Sequence, residues 1–153
     1  MSLLKLLSVG TDTEIFLTRD SVPVPCIQLV GGTKDAPIPM TGLPQGFALQ
    51  EDNVMLEFNI PPAKNLGEFE SYMKQAMDYI NVTTHRLGLT PALQASMEFT
   101  EKDLDNPQAQ TFGCDPDFSV WERAVNTVAV SKETLLRTAG GHIHLGFTYK
   151  DAV

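Results

Sequence analysis

Cysteine is scarce in this chain, with only Cys26 and Cys114 among 153 residues. Two thiols so far apart make neither a disulfide framework nor a Cys-x-x-Cys metal site, so they read as free thiols in a reducing cytoplasm. Positive charge is scarce too. Eleven Lys and Arg stand against nineteen Asp and Glu, for a net charge of −8, and the basic residues are scattered. That composition argues against a nucleic-acid groove or an anionic membrane surface, because phosphate contacts need clustered cations. Long apolar runs are missing as well. Leu3-Leu4-Lys5-Leu6-Leu7 is too short, and split by a lysine, to serve as a signal core, and no segment reaches membrane-spanning length. One cytoplasmic domain over residues 1–153 is expected, large enough for a core without a staple.

Along the chain, Ser8–Thr18 reads as a strand closed by an Arg19-Asp20-Ser21 turn. Residues 22–30 are extended but broken by Pro23 and Pro25, so they suit an edge. Residues 31–46 form a long Gly- and Pro-rich loop. Strands are expected at 46–49 and 54–60, joined through Glu51-Asp52-Asn53. Asn65 caps a helix from about Leu66 to Leu87, with Glu68 as its capping-box partner and Gly88 as its stop. Leu93–Phe99 is a further strand, and 101–117 a polar loop. Residues 118–130 fit helix or strand equally, with Trp121 assigned to the core. Residues 137–149 close the chain as a glycine-punctuated strand.

Residues two apart share a strand face. Ile15 and Leu17 thus oppose Asp12 and Glu14, while Leu56, Phe58 and Ile60 oppose Asn53, Met55, Glu57 and Asn59. Leu93, Ala95, Met97 and Phe99 oppose Gln94, Ser96 and Glu98, and Ile143, Leu145 and Phe147 oppose His142 and His144. Four strands each with one apolar face predict an α+β fold: an antiparallel sheet with helices on one face. The other face carries carboxylates, amides and imidazoles with no Lys or Arg. Gathered carboxylates repel unless a cation or proton compensates, and oxygen ligands with an imidazole suit Mg²⁺ or Mn²⁺. Lys34, in Gly31-Gly32-Thr33-Lys34, is placed to reach a phosphate or carboxylate, although the spacing is not a Walker A loop. Gly140-Gly141 before the histidines permits close backbone approach.

Three blocks carry a resemblance. Residues 10–16 (Gly-Thr-Asp-Thr-Glu-Ile-Phe), 52–59 (Asp-Asn-Val-Met-Leu-Glu-Phe-Asn) and 139–146 (Ala-Gly-Gly-His-Ile-His-Leu-Gly) resemble the type 2 carboxylate–amine ligases of phiEco32-like phages. Gly-Gly-Thr-Lys at 31–34 and Gly-Cys-Asp-Pro-Asp at 113–117 add to the match, which runs from about Val9 to Phe147. That family is similar to glutamine synthetase and glutamate–cysteine ligase. The resemblance implies the catalytic sheet of such an enzyme and amide formation through an acyl phosphate, with ATP and Mg²⁺ (or Mn²⁺). It implies metal binding by Asp12, Glu14, Glu51, Glu57 and His142, with Asp52 the alternative to Glu51. It implies catalytic roles for Glu57, His144 and Lys34, and cofactor contact at Gly140 and Gly141. The partners implied are a small-molecule or peptide carboxylate and an amine. Ligases of this kind continue beyond the histidine strand to supply arginines for ATP, so a complementing C-terminal segment or a homo-oligomer is expected. The alternative is a non-catalytic phage structural or interaction protein that reuses the sheet.

Overall fold

A computed structural model describes residues 4–111, 118–125 and 134–149. The chain is α+β. Its longest strand, β1 (Leu4–Arg19), is followed by β2 (Val22–Val24), β3 (Ile38–Pro39), β4 (Ala48–Asp52) and β5 (Met55–Asn59). Helix α1 (Leu66–Arg86) comes next, then β6 (Thr90–Ala92), β7 (Ser96–Glu98), α2 (Glu101–Leu104) and a 3₁₀ turn at Gln108–Gln110. The described residues end with β8 (Phe118–Ser119), β9 (Ala124–Val125), β10 (Leu136–Thr138) and β11 (Gly141–Tyr149).

β1 organises the main antiparallel sheet, whose order is β11-β1-β5-β4-β3, with β2 and β6 also pairing with β1. Asp20 and Ser21 both adopt positive φ, which lets a two-residue turn fold β2 back with Arg19 opposite Val22. The registers decide the site. Asp12 lies opposite Asn59, and Glu14 opposite Glu57. Gln50 also pairs with Glu57, and Asp12 with His142. Directly paired residues share a face, so these side chains come together on one surface.

The opposite face makes the larger core. Ile15, Leu17, Leu49, Leu56, Phe58 and Ile60 cluster with Ala76 and Ile80 of α1. The helix forms where the apolar spacing requires it, and Asn65 accepts the Glu68 N–H at 2.9 Å as its N-cap. Glu68 reaches back to the N–H of Lys64 rather than to Asn65, so the box is shifted by one residue. Leu66 and Leu87, expected on the apolar stripe, are exposed at the helix ends. Asn65→Ala should cost about 1 kcal/mol, read as a lower urea midpoint with an unchanged m-value.

The fold corrects several sequence expectations. The second sheet face is not wholly open: Phe16 and Met55 share the parity of Glu14 and Glu57, yet they pack with Phe99, Leu104 and Ala109 in a second core. The polar loop after residue 100 folds into α2, which Thr100 and Asp103 start with a capping box, and then into the 3₁₀ turn. The strand expected over 93–99 shrinks to β7, which pairs with β10 in a separate ladder, while β6 lies upstream of that stretch and joins β1. Glu98 therefore stands off the main sheet. Trp121 is 95% exposed, not core, in the turn of the small β8–β9 hairpin. Among the described residues no helix is long and apolar enough to cross a membrane. Cys114 and its turn motif lie outside the described residues.

Candidate metal centre

Three carboxylates converge where β1, β5 and β4 run side by side. Glu14, Asp52 and Glu57 each offer an oxygen, all within 4.8 Å of one another. Alternation along β4 explains why Asp52 takes part: Ala48, Gln50 and Asp52 share the site face, while Leu49 and Glu51 turn the other way. Glu57 is buried and accepts a 2.6 Å hydrogen bond from Gln50 Nε2. Glu14 is fixed through the residue before β11: its carboxylate accepts the Gly140 N–H, and its own N–H donates to Gly140 O at 3.0 Å.

Electrostatics push all three groups the same way. Burial raises the Glu57 carboxyl above its ordinary range; the Gln50 hydrogen bond opposes this, and Asp52, Asp12 and Glu14 add to it. Burial likewise raises Glu14, against the Gly140 hydrogen bond and the His142 charge. Burial raises Asp52 too, opposed by the positive charge of Lys34 and a hydrogen bond with Glu57. Three neighbouring carboxyls whose charged forms are disfavoured together suit a divalent cation that offsets their charge.

Beside this cluster, Asp12 is bracketed by the two imidazoles. His142 Nδ1 lies 3.1 Å from Asp12 Oδ1 and His144 Nε2 3.2 Å from Asp12 Oδ2. The Asn59 Oδ1, two residues after Glu57 on the same strand face, is buried without a hydrogen-bond partner. The donor set is thus oxygen-rich with imidazole at its margin, which fits Mg²⁺ or Mn²⁺ better than a structural zinc site.

The expected residues separate in space. Asp12, Glu14, Glu57, His142 and His144 sit on one surface, and Lys34 bears electrostatically on Asp52. Glu51 must be corrected as a metal ligand: its carboxylate is spent on the backbone N–H groups of Gln28, Leu29, Val30 and Gly31 at 2.7–2.9 Å. Asp52, not Glu51, is the β4 acid that joins Glu14 and Glu57 in the carboxylate cluster. Gly140 is engaged with Glu14, where a Cβ would sit 3.2 Å from the carboxylate oxygen, while Gly141 faces open space. Asn59 lies on the polar face as its alternation predicts, whereas Gln50 is a site support that the sequence pattern did not single out. Gln50 was accessible in principle from the same alternation that separates Asp52 from Glu51.

No family model, curated protein or solved structure matches this chain.

Proposed function

We propose that this chain forms the cation-binding part of an ATP-dependent carboxylate–amine ligase, acting on a small-molecule or peptide carboxylate and an amine. The observation that carries the reading is the convergence of Glu14, Asp52 and Glu57, with all three carboxyls pushed up in pKa. Mg²⁺ or Mn²⁺ held there would offset phosphate charge during acyl transfer. Glu14, Asp52 and Glu57 would be its ligands, with Asn59 Oδ1 as a neutral oxygen. His142 and His144 hold Asp12 in place at the rim, and His142 is the imidazole nearest the cluster by register. Lys34 supplies a cation on the Asp52 side, suited to a phosphate or carboxylate oxygen. Arg137 is not part of this machinery, since its guanidinium donates to the carbonyls of Thr134, Leu136 and Ala109.

The ligase chemistry rests on the sequence resemblance, and the geometry supports its cation site. Isothermal titration with Mn²⁺, alone and with a non-hydrolysable ATP analogue, tests the reading. The expected result is one cation site and tighter nucleotide binding with the cation than without it. Absence of both, with a complementing segment supplied, would sink the ligase reading.

One observation favours a second reading, a non-catalytic interaction protein built on the same sheet. Ile143, Leu145 and Phe147 on β11 are each about 60% exposed, the opposite of the covered face expected from their alternation. They continue toward an apolar cleft of about 370 Å³ lined by Leu7, Val9, Phe69 and Ile143. A protein that binds no cation yet self-associates through this face would fit that reading.

A further inference from the structure

Glu51 has an arrangement that its acidic neighbours lack. One carboxylate takes four consecutive backbone N–H groups, Gln28 through Gly31, with Oε1 alone accepting three of them. The turn is bent for the purpose: Gln28 and Gly31 adopt positive φ, so successive N–H groups point inward as an anion nest. The backbone of Glu51 adds to this through its N–H to Gly32 O. Gly32 in turn lies so close to β4 that a Cβ would meet Leu49 O at 2.8 Å, in a backbone conformation with φ of +83°. The residues that follow the clamped segment, Gly32 and Thr33, line a cavity of about 270 Å³ together with Glu51, Asp52 and Gln108. Lys34 follows directly.

We propose that Glu51 is a positioning residue: it fills the Gln28–Gly31 nest in cis and thereby holds the Lys34-bearing loop against the Asp52 side of the metal centre. Its functional consequence rests on the cation reading of Asp52. The clamp itself does not. Adjacent acids on β4 thus do opposite jobs because alternation turns one toward the cluster and the other toward the loop.

Amide exchange by NMR, combined with Mn²⁺ titration, tests this on the full chain, comparing wild type with Glu51→Ala and Asp52→Asn. In Glu51→Ala the amides of Gln28–Gly31 should exchange at least about tenfold faster while those of β4 and β5 hold. Mn²⁺ affinity should fall roughly tenfold, the range seen when a supporting partner of a metal site is lost. Added formate, which fits the vacated nest, should restore both. Asp52→Asn should lose Mn²⁺ while keeping Gln28–Gly31 protected, and saturating Mn²⁺ should leave that protection intact in wild type. Unchanged exchange in Glu51→Ala, or loss of protection when Mn²⁺ binds the wild type, would overturn the proposal. So would full Mn²⁺ affinity in Glu51→Ala once the turn is released. If wild type binds no Mn²⁺, the cation reading fails separately. The clamp then stands or falls on exchange and its recovery with formate.

Discussion

Glu57→Gln should lose divalent-cation binding by on the order of 100-fold or more, because even outer partners of metal sites are worth 10–100-fold. Glu57 is the most central of the three acids, opposite Glu14 on one side and Gln50 on the other. The amide keeps the shape and can still accept from Gln50, so the fold should persist. The pH dependence should change in a definite sense. The Glu57 carboxyl is raised in the folded chain, so its contribution to stability is fully present below its unfolded-state pKa. That contribution is lost as pH rises through the folded-state value, and Glu57→Gln should flatten this decline. At alkaline pH without cation the variant should therefore be more stable than wild type. Adding cation to about 100 times its dissociation constant should stabilise wild type by ~2.7 kcal/mol and the variant by almost nothing. Thermal unfolding at pH 8 would read this as a shift of about 5–10 °C in wild type alone. Equal shifts in both proteins would remove Glu57 from the site.

Much of this surface was legible because alternation is a local rule. The period of two along β1 and β5 separates Asp12, Glu14 and Glu57 from Ile15, Leu17, Leu56 and Phe58, and the core follows that division. The helix was legible for the same reason, with Asn65 and Gly88 at its ends. What failed depended on non-local pairing. Glu98 has the right parity on its own strand, but β7 joins β10 in another ladder, which no local pattern reveals. Phe16 and Met55 have site-face parity, yet they are buried because α2 and the 3₁₀ turn arrive from more than forty residues away. Glu51 was an error of a different kind. Its parity relative to Glu57 follows once the hairpin register is known, and that register turns on Asn53, which adopts a positive φ between Asp52 and Met55. A one-residue difference in that turn would have exchanged the roles of Glu51 and Asp52.

Phe58→Ala should do the reverse of Glu57→Gln. Phe58 is completely buried next to the most central acid, opposite Thr13 and Leu49, in the cluster that α1 covers through Ala76 and Ile80. Removing its ring should cost about 3–5 kcal/mol in stability, a large fraction of what holds a domain of this size together. Phe58→Leu, which keeps most of the volume, should cost less and guards against a variant that fails to fold. Cation affinity, measured well below the lowered melting temperature, should stay within about threefold of wild type, since the ring lies on the face of β5 opposite the carboxylates. The two faces of β5 are then separable by measurement: one residue lowers stability and leaves binding alone, and its neighbour removes binding without lowering stability. If Phe58→Leu weakens Mn²⁺ binding as much as Glu57→Gln does, the carboxylates are not held by the sheet register. Their convergence would then depend on core packing beneath them.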